Sequence, residues 1–61
     1  GNHADALVWY DKALESDPYN AEVWYNKGMT LRKIGSQEEG LMCIQKGISL
    51  AMSAPSPRYR V

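Results

Sequence analysis

The chain has one cysteine, Cys43, in 61 residues. With no second thiol, neither an internal disulfide nor a cysteine-based zinc site can hold the fold, and a reducing, cytoplasmic setting is expected. Charge of one sign is also lacking: seven Lys and Arg stand against seven Asp and Glu, for a formal net charge of zero. Binding to a phosphate backbone needs clustered bases, so nucleic acid is not an expected partner. The only local basic bias is Arg58 and Arg60. No run approaches the roughly 20 apolar residues of a membrane span, so no membrane partner is expected, and nothing at the start resembles a signal peptide. A chain this short buries only about 60% of the surface that it exposes when unfolded, too little to wall a large catalytic cavity. An independent enzyme is not expected. The start at Gly1-Asn2-His3 reads as a piece of something longer.

What is present is helical periodicity. From Ala4 to Ser16 the residues Ala6, Leu7, Tyr10, Ala13 and Leu14 form one apolar face, with Asn2 placed as an N-cap and Asp17-Pro18-Tyr19-Asn20 as a closing turn. A second helix is expected over Ala21 to Ile34, carrying Val23, Trp24, Met29, Leu31 and Ile34, with Glu22 early and Arg32-Lys33 late, as the helix dipole favours. Gly35 ends it. Ser36-Gln37-Glu38-Glu39 has the spacing of a capping box, in which Ser36 and Glu39 would each satisfy the other's backbone N–H. A third helix follows to about Met52, its apolar stripe made of Leu41, Cys43 or Ile44, Ile48 and Met52. The prolines after it cannot continue a helix, and residues 55–61 read as a disordered or loosely docked tail.

Sliding the chain by 34 residues superposes the first helix on the third. Gly1 faces Gly35, Asn2 faces Ser36, Ala6 faces Gly40, Leu7 faces Leu41, Tyr10 faces Ile44, Ala13 faces Gly47 and Leu14 faces Ile48. Small residues recur where one helix must approach another closely. The repeating unit is therefore a helix pair.

These residues resemble the tetratricopeptide repeat. Trp24-x2-Lys27-Gly28-x2-Leu31, Gly40-x3-Ile44 and Gly47 follow its pattern over 34 residues, and Ala6-x3-Tyr10, Ala13 and Asp17-Pro18 match the second half of a preceding repeat. The resemblance spans about residues 1–53 and implies an all-α fragment of a helical solenoid. Residues 1–20 would be the second helix and end-turn of one repeat, and 21–54 one complete helix pair. Three departures stand out. Lys27 occupies a position usually held by Leu, which leaves it less buried or lays its stem along apolar surface with the charge in water. Gly40 and Gly47 replace Ala, each costing about 0.5–1 kcal/mol of helix stability, so the third helix should fray more easily than the first. Met52 stands where Pro would end the repeat.

The resemblance also implies a non-catalytic scaffold that takes a peptide or partner helix in a groove lined by first helices. The groove positions here are Glu22, Tyr25, Asn26, Met29, Arg32 and Lys33. Asn26 falls where relatives that grip a C-terminal carboxylate carry Asn, but Glu22 sits where one such repeat carries Lys. Ala6, Ala13, Trp24, Gly28, Leu31, Leu41, Ile44 and Gly47 are assigned to packing. Trp9 lies off the main stripe and either covers an adjacent element or stands exposed as an anchor. Cys43 has no neighbouring base in sequence and reads as an inert thiol, and His3 reads as a solvated residue. The acidic residues Asp5, Asp11, Glu15, Asp17, Glu38 and Glu39 show no calcium-loop pattern, so neither metal nor cofactor is expected.

A solenoid repeat buries its apolar face only against neighbours, and about three repeats are normally needed. With about one and a half, the side formed by Leu7, Tyr10 and Leu14 and the far side around Ile48 would stay uncovered. A homo-oligomer is expected, pairing those faces or exchanging a helix through a turn.

Overall fold

The computed structural model describes residues 2–53, and the tail expected at 55–61 lies outside them. Three helices follow in order, α1 (His3–Ser16), α2 (Ala21–Lys33) and α3 (Gln37–Ser53), with no strand among the described residues. Each boundary has a local cause. Asn2 stands at the N-cap of α1 but its side chain makes no capping bond, and only its carbonyl accepts, from Ala6 N–H. The expected side-chain cap is absent. At the other end Asp17 N–H donates to Ala13 O and the Asp17 carboxylate accepts from Tyr19 N–H at 3.2 Å, turning the chain through Pro18. Asn20 caps α2, its Oδ1 accepting from Val23 N–H at 3.2 Å.

Gly35 ends α2 at φ +100°, the left-handed region. Gly35 N–H donates to Arg32 O and Ser36 N–H to Leu31 O, so the last carbonyls of α2 are satisfied in a Schellman arrangement. The capping box expected after it does not form: neither Ser36 nor Glu39 makes a side-chain hydrogen bond among the described residues. Gln37 instead reaches back to the end of α2, accepting from Arg32 Nε–H and donating to Arg32 O, both at 3.2 Å. Glu39 lines a shallow recess together with Lys27 and Cys43.

The middle helix organises the packing. α2 lies against α3 over much of its length and more sparingly against α1, whereas α1 and α3 do not pack on each other. Between α2 and α3 the backbones run close enough that glycine is the only residue that fits. A Cβ on Gly28 would lie 2.5 Å from Gly40 O and 2.6 Å from Ile44 Cγ1, and one on Gly47 would lie 2.8 Å from Ala21 O. These glycines weaken α3 as a lone helix, but they allow the contact that holds it. The buried apolar core is Leu31, Cys43 and Ile44, with Thr30 beside it.

The buried stripe of α3 is thus Gly40, Cys43, Ile44 and Gly47. Leu41, assigned to packing from its spacing, is 49% exposed, and Ile48 and Met52 are 47% and 80% exposed. α3 carries two apolar stripes about a third of a turn apart, and α2 covers the one with glycines because only there can the backbones close up. No residue of α1 is buried, and Ala6, Leu7, Tyr10, Ala13 and Leu14 are half-covered by α2.

Candidate protein-binding surface

Glu22, Tyr25, Met29, Arg32 and Lys33 all lie exposed on α2, with Tyr25 and Arg32 along the margin that meets α3, and Asn26 is half-buried at the edge toward α1. Glu22, Asn26, Met29 and Lys33 follow one another at spacings of four, three and four, which places them in a single row on a helix. Tyr25 and Arg32 flank that row. Arg32 is steered by Gln37, and Met29, Arg32, Lys33 and Gln37 surround a shallow recess at the C-terminal end of α2. At the other end Glu22 and Tyr25 border a recess of about 370 Å³ that is completed by Ala21, Gly47, Ile48 and Ala51. The surface is acidic where α2 begins, apolar in the middle and basic where it ends.

The residues assigned to self-association are not on one surface. Leu7, Tyr10 and Leu14 are half-covered on α1, whereas Ile48 is exposed on α3, which α1 does not touch. Ile48 instead adjoins Tyr25 and, through a second shallow recess, Met52. Trp9 is 70% exposed and covers no neighbouring element.

On the opposite side of the molecule lies a cluster that sequence reading missed. Lys27 Nζ reaches from α2 to α1 and pairs with Asp11 Oδ1 at 2.8 Å. Its stem is largely covered, and its charge is met by a carboxylate rather than by water alone. A lysine in a normally apolar position was the available signal, but its partner is on another helix and no local spacing rule reaches it. Trp24 forms one wall of this cluster, with Lys27 Nζ and Lys46 Nζ at 5.7 and 6.0 Å from its ring centroid. The Trp24 indole N–H donates to Pro18 O at 2.8 Å, tying the α1–α2 turn to the body of α2.

The hydrogen bond to Asp11 raises the Lys27 pKa above its ordinary 10.5 against the opposing effect of burial. Burial pushes the Cys43 thiol above its ordinary 9.0, and the nearby Lys27 ammonium only partly offsets this. The thiol is therefore not an activated nucleophile. Both groups hold their protons more tightly when folded, so their contribution to stability is complete below the unfolded values and falls as pH rises through the folded ones. The melting temperature should therefore stay level from neutral pH to about 8 and then decline as the unfolded thiol ionises around its ordinary 9.0. Thiol labelling at pH 8 should be slow in the native protein and fast in denaturant. Equal rates in the two states would contradict the burial of Cys43.

Among the described residues no His, Cys, Asp and Glu cluster could hold a metal ion, and no helix is long and apolar enough to cross a membrane. The family model for the tetratricopeptide repeat matches residues 9–42, from the middle of α1 through α2 into α3. An uncharacterised protein of Methanocaldococcus jannaschii is 32% identical over 62 residues, an alignment that takes in 97% of this chain and 72% of the relative. No solved structure gives a significant match. With three helices, a glycine-spaced α2–α3 seam and a family match across more than half its length, the chain belongs to the tetratricopeptide repeat family.

Proposed function

We propose that the chain is a non-catalytic protein-interaction module that takes a peptide or partner helix on the exposed row of α2. The observation that carries this reading is the exposure of Tyr25 and Met29, 44% and 36%, between opposite charges and beside an apolar recess. Tyr, Met and Arg are the side chains that interfaces concentrate, because they offer large contact area or forked donors. The family is generally non-catalytic, which agrees with the protonated, buried thiol. The unpaired thiol also favours a cytoplasmic setting.

Random-peptide display on the 61-residue chain tests the reading. Peptides enriched on the chain should bind Tyr25→Ala and Arg32→Ala roughly tenfold more weakly by calorimetry, a typical loss for a central interface residue. Enriched peptides indifferent to both substitutions, or no enrichment, would rule out this row as the binding surface.

A second reading is self-association. It is supported by the exposure of Leu41, Ile48 and Met52 along α3, three large apolar side chains on a face with no charge of its own. On this reading Ile48→Asp shifts the solution mass toward monomer, and an unchanged mass distribution would count against it.

A further inference from the structure

We infer that two copies of this chain pair through the exposed row of α2, running antiparallel about a two-fold axis, with Glu22 of each copy opposite Lys33 of the other. The inference rests on the self-association reading but moves the contact from the α3 face to α2, keeping only Ile48 of the three exposed α3 residues in it.

Glu22, Asn26, Met29 and Lys33 lie along one face at the spacing along which two helices can meet. Read in reverse, the row is its own electrostatic complement. Glu22 lies as far before the point between Lys27 and Gly28 as Lys33 lies after it, and Asn26 and Met29 straddle the same point. An antiparallel partner therefore sets acid against base at both ends and the amide against the thioether at the centre. Glu22 and Lys33 are about 16 Å apart along the helix, at 1.5 Å per residue, in both copies, so both pairs form together. A parallel partner would set Glu22 against Glu22 and Lys33 against Lys33. The charges thus select one orientation, and the pairing has the self-complementary form that a two-fold dimer requires.

The flanks agree with this arrangement. Tyr25 and Arg32 lie on the same side of the row, toward α3, and in an antiparallel pair each Tyr25 comes alongside Arg32 of the second copy, a cation beside an aromatic ring. On that side too lies the recess bounded by Glu22, Tyr25, Ile48 and Ala51, where the contact would cover Ile48, 47% exposed in the single chain. Exposed ion pairs contribute little to affinity, so Tyr25, Met29 and Ile48 supply the attraction and the charges fix the register. A peptide ligand and a second copy would then compete for one surface.

Sedimentation equilibrium on the full chain tests this with four variants: Glu22→Lys, Lys33→Glu, the double swap and Ile48→Asp. By symmetry each single swap sets like charges together at both ends, and should weaken the dimer about tenfold or more at low salt. The double swap should return the dimer to near its original strength. Both swaps oppose the dipole of α2, so recovery in the double variant cannot arise from a better-formed helix. Circular dichroism verifies that each variant is folded. If the single swaps assemble like the parent while Ile48→Asp dissociates, or if the double swap fails to recover, the copies associate elsewhere and this geometry is wrong. A parent chain that remains monomeric to millimolar concentration removes the self-association reading together with it.

Discussion

Gly28→Ala is expected to destabilise the chain by about 2–3 kcal/mol, as overpacking does, although alanine is the better helix former by about 1 kcal/mol. The added methyl would lie 2.5 Å from Gly40 O and 2.8 Å from Ile44 N, and neither backbone atom can turn aside as a flexible side chain could. α3 would have to lift from α2, opening the contact that buries Leu31 and Ile44. Chemical denaturation followed by circular dichroism measures the effect. Ser49→Ala on the exposed side of α3 is the control for helix propensity and should be neutral or slightly stabilising. If Gly28→Ala proved as stable as the parent, the close α2–α3 approach would be wrong.

Leu31→Ala should have an effect at least as large. Leu31 is 5% exposed, and removing a buried leucine side chain typically costs about 2–5 kcal/mol. A chain of this size has a total stability of only roughly 3–9 kcal/mol at about 0.05–0.15 kcal/mol per residue. The variant should therefore lose most or all of its cooperative melting transition. Leu41→Ala, at a residue 49% exposed, should change stability by less than about 1 kcal/mol. Equal losses from these two substitutions would mean that α3 is turned differently against α2.

Leu41 also marks the limit of what the sequence discloses. Helical period showed that α1, α2 and α3 would form, and the offset of 34 residues showed that α1 and α3 are equivalent elements of a repeat. Gly35 was legible because a positive φ at a helix end leaves few alternatives to glycine. The covered face of α3 was only partly legible, because Leu41, Ile48 and Met52 satisfy the period as well as Cys43 and Ile44 do. The choice lies with Gly28, Gly40 and Gly47, whose absent side chains carry no hydrophobic signal. The sequence marks them both as a weakness of the helix and as places of close approach, but only the opposing backbone shows that their seam leaves Leu41 outside. The Lys27–Asp11 pair escaped notice for a related reason: it joins two helices, and periodicity describes one at a time. The row on α2 was readable because it requires only helical spacing and exposure, and α2 is helical from Ala21 to Lys33.

The unequal covering of the three helices makes the molecule energetically lopsided. α2 and α3 share the whole buried core, whereas α1 contributes no buried residue and is attached through half-covered side chains, the Asp11–Lys27 pair and the turn bonded by Trp24. Local opening follows the weakest-held element, so α1 can swing away while α2 and α3 remain closed. Hydrogen exchange in α1 would then run ahead of exchange in the other two. The side of α2 that α1 releases, which includes Lys27, would be accessible only in the open population and would adjoin the exposed row at Asn26.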